Sequence, residues 1–213
     1  MSRQMEFAYQ FIKERILNGT YRPSQKLVES QLSEIIGVSR NTVKTALLKL
    51  EQENLVIIEN NKGATIKSFT IEEVKNYLEI REVLEGLIIR SAVPNFLEDD
   101  LNHLEQILSK MENYLCENNY DEYTKLNIEF HDTIYKLAKN IQAVKMVNMI
   151  KTQLIRYHFR TILVPGRNEK SLQEHKNIYQ ALKERDALGA EEAMKHHVAN
   201  VRKTIEENYQ YLI

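Results

Sequence analysis

Hydrophobic and polar positions divide the chain into a short mixed segment and a long helical one. Up to about residue 67, apolar residues recur first at helical spacing and then in two short β-rich runs. Beyond residue 70 only the helical spacing recurs, and it does so six times. The pattern predicts a mainly α protein with two domains, residues 1–69 and residues 70–213, the second an all-α antiparallel helical bundle.

Two short helices open the first domain. A helix over residues 4–17 is predicted to turn Phe7, Phe11, Ile12, Ile16 and Leu17 inward. The next carries an apolar stripe of Leu27, Leu32, Ile35 and Ile36. Gly37 ends it, because a residue without a Cβ adopts the left-handed conformation easily. Ser39 is then a good N-cap for the helix that follows.

That third helix, from about residue 40 to 53, has an inward apolar face and an outward polar one. Its inward positions are Val43, Ala46, Leu47 and Leu50. The outward side chains are of the types that hydrogen-bond phosphates and base edges, so we predict DNA contacts. The predicted contacts on this helix are Arg40, Asn41, Thr42, Lys44 and Thr45.

Two β-rich runs, residues 55–59 and 64–67, follow with a turn between them. They predict a hairpin whose tip adds Lys62 and Gly63 to the DNA-contacting set. An ordinary helical domain with a basic surface helix would explain any single feature. The order of helix, turn, polar-faced helix and hairpin favours a winged helix-turn-helix instead.

Six helices are predicted for the second domain, joined by short loops. The first begins at Ile71, after the capping-box spacing of Thr70 and Glu73, and ends before Pro94. A second capping box, Ser171 and Glu174, is predicted to start the fifth helix. The remaining helices are placed at about 97–116, 121–139, 143–163 and 190–211.

Composition narrows the class of protein. The chain is 43% hydrophobic and 28% charged, with a net charge of −1, as in ordinary soluble globular proteins. Residues 1–69 carry ten basic against seven acidic residues, in weak agreement with DNA binding. No apolar run is long enough for a membrane span, and no secretory signal is visible. The single Cys116 excludes an internal disulfide, so we expect a cytoplasmic protein.

Three histidines lie on the apolar faces of three different bundle helices. His131 lies one turn after Asn127, His175 shares a face with Ile178, and His197 shares one with Val201. Inward imidazoles are how helical bundles build metal sites. Core histidines satisfied by hydrogen bonds explain the pattern equally well, and both interpretations stay open on the residues alone.

Arg81 falls on the inward stripe of the first bundle helix, with Glu85 one turn later. An internal ion pair is the simpler interpretation. The alternative is that the guanidinium grips the carboxylate of an effector, since the two groups match bidentately.

The first domain resembles the GntR family of bacterial transcription regulators. In that family an arginine after the Val-Ser turn contacts DNA, and it falls on Arg40; a second falls on Lys44. Ser24 and Asn54 stand where glycines are usual, and Asn41-Thr42 replaces a common Thr-Pro. The matching pieces are Gly19-Thr20-Tyr21-Arg22-Pro23, Lys26-Leu27-Val28-Glu29, Gly37-Val38-Ser39-Arg40, Ala46-Leu47-Leu48-Lys49-Leu50-Glu51 and Leu55-Val56.

The bundle resembles the effector domain of the FadR-like branch, also called FCD. Many members hold a divalent metal through an acidic residue and three histidines. Those positions fall on Asn127, His131, His175 and His197, with neutral Asn127 where an aspartate is common. The matching pieces are Ile80-Arg81-Glu82-Val83-Leu84-Glu85, Asn127-Ile128-Glu129-Phe130-His131, Glu174-His175-Lys176-Asn177-Ile178 and Ala193-Met194-Lys195-His196-His197.

The resemblance implies a non-catalytic regulator that binds a palindromic operator in double-stranded DNA as a homodimer. A small carboxylate effector would bind in the bundle with a divalent metal, zinc first, with nickel and manganese as alternatives. A FadR-like regulator with a metal-free pocket for a lipid or acyl thioester is the nearest alternative. A metal-dependent enzyme is a more distant one, because no HExxH helix, Gly-x-Ser-x-Gly turn or phosphate-binding glycine loop occurs.

Overall fold

The computed structural model describes residues 2–59 and 63–212, with the backbone alone over residues 155–160. It divides into two compact units, Met1–Thr70 and Ile71–Ile213, one residue from the boundary expected on sequence. These are called the N-terminal and C-terminal units below. The predicted DNA contact Lys62 lies outside the described residues.

The described part of the N-terminal unit is a winged helix-turn-helix, as predicted. Its helices are α1 (Arg3–Leu17), α2 (Glu29–Ile36) and α3 (Arg40–Gln52). The hairpin strands β2 (Val56–Glu59) and β3 (Gly63–Ile66) pair antiparallel. A further strand, β1 (Lys26–Leu27), adds to the other edge of β3 and was not predicted.

Three apolar residues of this unit are placed differently from the sequence prediction. Leu27 is buried from β1 and not from a helix. Ile35 is 63% exposed on α2 and Phe7 is 57% exposed on α1. The buried stripe of α1 runs through Met5, Ala8, Tyr9 and Ile12, so Phe7 and Phe11 lie beside it.

Four backbone positions set the turns of the N-terminal unit. Gly37 has φ 75°, and the Ser39 side chain accepts a hydrogen bond from the backbone N–H of Thr42, as predicted. Ser24 and Asn54 have φ of 61° and 62°. These are the two positions where the resemblance leads one to expect glycine, and the left-handed backbone is the reason.

Six α-helices form the described C-terminal unit, and the predicted all-α bundle is confirmed. A 3-10 turn, Val93–Asn95, separates the first two helices. The helices are α4 (Ile71–Ala92), α5 (Glu98–Cys116), α6 (Tyr120–Leu137), α7 (Ile141–Thr161), α8 (Arg167–Lys183) and α9 (Ala187–Leu212).

Helix α8 begins five residues earlier than predicted. Gly166, with φ 73°, precedes it, so Ser171 and Glu174 lie inside the helix and do not form its capping box. Both side chains are buried, because α8 turns them toward the bundle interior. Ser171 and Glu174 therefore contribute to the interior of the bundle and not to the start of the helix.

One hydrophobic core fills the bundle, with Ile88, Leu104, Phe130, Ile134 and Ile178 among its fully buried members. The histidine-bearing faces of α6, α8 and α9 border this core. None of the helices in the described part of the chain combines the length and apolarity needed to cross a bilayer.

Candidate nucleic-acid interface and metal centre

Most of the predicted DNA-contacting side chains share one exposed face of α3. Because Val43, Ala46, Leu47 and Leu50 are buried, the helix has a fixed rotation about its axis. The polar residues are thereby left outward, free to enter a groove. The exposed members are Arg40, Asn41, Lys44 and Thr45.

Two threonines of α3 have local hydrogen bonds that limit what they offer. Thr42 is half-buried, and its hydroxyl lies 2.8 Å from that of Ser39 at the helix start. The hydroxyl of Thr45 donates to the carbonyl of Asn41 over 2.9 Å. Thr45 therefore presents an acceptor and a methyl group outward.

Gly63, the predicted contact at the tip of the hairpin, is the first residue of β3. Its φ is 90°, a conformation that suits glycine.

Neighbouring elements hold α3 in place from both sides. Lys49 lies 3.0 Å from the Glu6 carboxylate and 3.6 Å from the Tyr9 ring centroid, which ties α3 to α1. Glu51 accepts a hydrogen bond from the backbone N–H of Ile58 over 2.8 Å. This carboxylate therefore links the end of α3 to strand β2 of the hairpin.

In the C-terminal unit, the three inward histidines come together. His131 on α6, His175 on α8 and His197 on α9 are 1%, 0% and 1% exposed. One ring nitrogen from each lies within 4.8 Å of the other two. The Nε2 atoms of His131 and His175 are 3.2 Å apart. Two nitrogens on one tetrahedral zinc lie about 3.3 Å apart, given Zn–N bonds of about 2.0–2.1 Å.

The outer nitrogen of each histidine faces an acceptor. His175 Nδ1 lies 2.6 Å from the carbonyl oxygen of Ser171, and His197 Nδ1 lies 2.7 Å from Glu174 Oε2. His131 Nδ1 is 3.5 Å from Glu85 Oε2. Carbonyl and carboxylate oxygens only accept, so Nδ1 of His175 and Nδ1 of His197 carry the protons, and the Nε2 atoms of these two rings carry lone pairs.

Lone pairs on the Nε2 atoms of His175 and His197 are therefore directed into the cluster. His197 Nε2 has no hydrogen-bond partner among the described residues. His131 Nε2 lies 3.2 Å from His175 Nε2, within hydrogen-bonding distance. A cation placed among the three rings would take up these lone pairs, and outer partners that fix the tautomer are typical of metal-binding histidines.

Burial keeps these imidazoles neutral. It lowers the pKa of His175 and His197 well below the ordinary value, with the neighbouring histidines adding to the effect. Burial also lowers the pKa of His131, although Glu85 opposes it. Neutral imidazole is the form that ligates metals, so the donor set fits a divalent ion without a deprotonation cost at neutral pH.

The predicted fourth ligand, Asn127, borders the same place. It is buried on α6 one turn before His131, and it lines a cavity together with His197. Arg167, at the start of α8, is the cationic side chain among the described residues lining this cavity. An amide, an imidazole and a guanidinium thus meet in one polar cavity beside the histidines.

Arg81 forms the internal ion pair that the sequence suggested. Its Nε donates to Glu85 Oε1, and both side chains are buried. Burial alone would disfavour the carboxylate, but Arg81 outweighs it and holds the pKa of Glu85 well below its usual range. One Nη atom of Arg81 has no hydrogen-bond partner within the described ranges. The predicted contact of Arg81 with an effector stays a prediction.

Glu174 and Arg167 are functional candidates that the sequence analysis missed. Glu174 pairs bidentately with Arg167, at 2.9 and 3.3 Å, and also orients His197 and Asn200. The two residues are seven positions apart and therefore lie on one face of a helix, and this spacing could have predicted the pair. It was missed because Glu174 was assigned to a capping box.

Two family profiles match the chain. The one described as bacterial regulatory proteins, gntR family, matches residues 4–66. The one described as FCD domain matches residues 76–200.

Individual proteins resemble the chain over most of its length. The HTH-type transcriptional regulator YdhC of Bacillus subtilis is 29% identical, over 89% of this chain and 84% of YdhC. The HTH-type transcriptional repressor RspR of Escherichia coli is 24% identical, over 93% and 87%. Among solved structures, McbR/YncC of Escherichia coli superposes with a TM-score of 0.72 at 20% identity, covering 100% of this chain and 98% of that one, which shows the shared fold.

Proposed function

This chain belongs to the GntR family of bacterial regulatory proteins and carries an FCD domain. We propose that a small organic acid, bound with a divalent metal ion in the C-terminal unit, controls its affinity for an operator. As a member of that family it is a DNA-binding transcription regulator and not an enzyme.

The convergence of three buried imidazoles, with one ring nitrogen from each within 4.8 Å of the other two, is the observation that carries the metal half of the proposal. His131, His175 and His197 would hold the ion, and Asn127 would supply a neutral oxygen from the cavity wall. Zinc is our first choice, with nickel or manganese as alternatives, because imidazole suits several divalent ions. A bound ion would supply a Lewis-acidic site for a carboxylate oxygen of the effector.

The residues of the chain itself prepare this site. Ser171 and Glu174 fix the tautomers of His175 and His197, and Glu85 Oε2 lies 3.5 Å from Nδ1 of His131. Arg167 offers a guanidinium within the cavity, and guanidinium matches a carboxylate. Arg81, with one Nη atom to spare, is a further candidate contact for the effector. Regulation requires the acid to bind one conformational state more tightly than the other.

On DNA, we propose that α3 enters the major groove and the hairpin reaches the adjacent groove or backbone. Arg40, Asn41, Lys44 and Thr45 would make the contacts from α3, with Thr42 supporting the helix start and Lys62 and Gly63 contributing from the hairpin. Lys44 keeps charge but lacks the planar fork of an arginine.

A homodimer on a palindromic operator completes the proposal, and exposed apolar side chains support it. Helix α4 exposes Ile80 and Val83 by 50% and 63%, and α7, which packs against α4, exposes Met146 and Met149 by 51% and 64%. Adjoining helices with such pairs suit a self-complementary interface. The reducing cytoplasm is the proposed location, since DNA is the target.

The first test measures bound metal per chain by mass spectrometry in protein purified without a histidine tag or chelator. We expect near one divalent ion in the wild type, almost none in His175→Ala, and an unchanged content in His103→Ala, whose ring is exposed. Genomic fragments selected by the protein then serve to measure affinity with and without carboxylates. Negligible metal in all three proteins, even after zinc or nickel is offered, would favour a metal-free lipid or acyl-thioester pocket.

A further inference from the structure

Three exposed side chains form a line along the outward face of α3. Asn41, Thr45 and Leu48 follow one another at spacings of four and three residues, so they lie on the same side of the helix. Leu48 is 43% exposed, although the core of the N-terminal unit lies against the other side of α3. The line is therefore polar at the start of the helix and apolar farther along it.

The side-chain amide of Asn41 is available to a ligand. It forms no hydrogen bond with any residue that the structure describes, whereas Lys49 of the same helix is held by Glu6. Asn41 is also the second residue of α3. In helix-turn-helix proteins the base contacts come from the N-terminal residues of the recognition helix. An uncommitted amide at this position is therefore suited to a base edge.

The side chains farther along the line donate no hydrogen bond outward. Thr45 has committed its hydroxyl proton to the backbone carbonyl of Asn41, 2.9 Å away. It keeps its methyl group and an acceptor, and Leu48 extends the apolar surface. Phosphate oxygens require a donor, which neither side chain supplies. This part of the line therefore suits apolar atoms of the bases better than it suits the DNA backbone.

An amide followed by methyl groups matches A·T pairs in the major groove. Adenine presents an acceptor and a donor there, N7 and the N6 amino group, and a carboxamide pairs with both. Guanine presents two acceptors, so the amide oxygen would lack a donor, and thymine alone among the four bases presents a methyl group. Four residues of helix advance about 6 Å, which corresponds to about two base pairs at about 3.4 Å each.

We propose that Asn41 and Thr45 recognise A·T pairs in each half of the operator. The Asn41 amide pairs with an adenine, and the Thr45 methyl group packs on the methyl group of a thymine within about two base pairs of it. This inference rests on the proposed entry of α3 into the major groove and specifies the bases that the helix recognises there. A contact of Asn41 with phosphate would instead add affinity without base preference.

The first experiment selects binding sites for the full chain from a random pool of double-stranded DNA and sequences them. The wild type should enrich adenine at one position of each half-site. Asn41→Ala should lose the preference at that position and keep the others, because each base contact acts on its own base pair. Gln52→Ala is the matched control, since it removes an exposed carboxamide from the last residue of the same helix. Its selected sequence should equal that of the wild type.

Base analogues test both contacts in the wild-type protein, so the result does not depend on how a variant folds. In a selected duplex, 7-deazaadenine removes the N7 acceptor and should weaken binding about three- to tenfold by fluorescence anisotropy. Deoxyuridine in place of the nearby thymidine removes only the methyl group and should weaken binding about threefold. Asn41→Ala should be insensitive to the first analogue. Thr45→Ser, which keeps the hydroxyl and loses the methyl group, should be insensitive to the second.

Three results separate this inference from the proposed function. An enriched site whose adenine preference survives in Asn41→Ala overturns the inference and leaves operator binding in place. Failure of either analogue to weaken binding of the wild type does the same. If the pool yields no enriched sequence at all, the proposed operator binding fails together with the inference.

Discussion

Glu174 Oε2 lies 2.7 Å from Nδ1 of His197, so a carboxylate on α8 orients a candidate metal ligand on α9. The same carboxylate holds Arg167 through a bidentate pair. One side chain therefore positions a proposed metal ligand and the cation of the cavity. Both roles that we propose for the C-terminal unit depend on it.

Replacing Glu174 with glutamine should weaken metal binding. A carboxamide is a weaker acceptor for His197 Nδ1, and loss of such partners costs about 10–100-fold in metal affinity. Competition with a chromogenic chelator measures the change. Glu112→Gln, at an exposed residue paired with Lys176, is the control and should bind metal as the wild type does. Equal affinities in the two variants would remove Glu174 from the site.

The buried ion pair predicts an asymmetric response to mutation. Arg81→Leu leaves the Glu85 carboxylate buried without its main partner, which should cost about 3–5 kcal/mol in the free energy of unfolding. Replacing both residues with leucine should recover much of that loss. Urea unfolding measures both. The exposed pair of Lys176 and Glu112 gives the comparison. Lys176→Leu should lower the free energy of unfolding by at most about 1 kcal/mol.

Chelator-treated protein should lose stability as the pH falls below about 6.5. The pKa values of His131, His175 and His197 are lowered in the folded state, so the unfolded chain binds more protons in that range. Each histidine adds a slope of up to about 1.4 kcal/mol per pH unit. Urea unfolding at a series of pH values tests this, and His175→Leu should flatten the slope. A profile unaffected by that substitution would contradict the burial argument.

Arg40→Ala should weaken binding to a selected operator fragment by about tenfold or more, because a good base contact contributes about 1–3 kcal/mol. Lys44→Ala should lower affinity and reduce the salt dependence by about one counterion if it contacts phosphate. Fluorescence anisotropy over a range of salt concentrations distinguishes the two. Lys183→Ala, an exposed cation of the C-terminal unit, should change neither quantity.

Introducing a charge at the exposed apolar pairs should disrupt the proposed dimer. Val83→Glu on α4 and Met149→Glu on α7 place carboxylates on side chains that are 63% and 64% exposed. Burying those charges in an interface is costly, so sedimentation velocity should show a shift toward monomer. Leu188→Glu, at a residue 68% exposed on α9, is the control. Identical sedimentation of all three variants would place the interface elsewhere.

The fold could be predicted from the sequence because the helical spacing of apolar residues and the two β-rich runs were both clear. The stripe of Val43, Ala46, Leu47 and Leu50 and the Gly37 turn placed the helix-turn-helix, and the structure follows them. It failed at Phe7 and Ile35, where apolar residues neighbour the buried stripe and periodicity alone cannot fix the rotation of a short helix. Strand β1 is two residues long and has no period to detect.

At the site, the sequence located residues but not their partners. The three histidines were visible because each interrupts an apolar face. The acceptors that set their tautomers were not, since Ser171 acts through a backbone carbonyl and Glu174 reaches across to another helix. Partnerships of this kind depend on how helices pack, which spacing within one helix does not encode.

Helix α8 carries Arg167, Ser171, Glu174 and His175 on one face over little more than two turns. The proposed contact with the acid, the acceptors of two imidazoles and one proposed metal ligand are therefore carried by a single helix. A small rotation or translation of α8 would change all of them together. Binding of the metal and binding of the acid would then act on the same helix, and the displacement of α8 would signal that both are present.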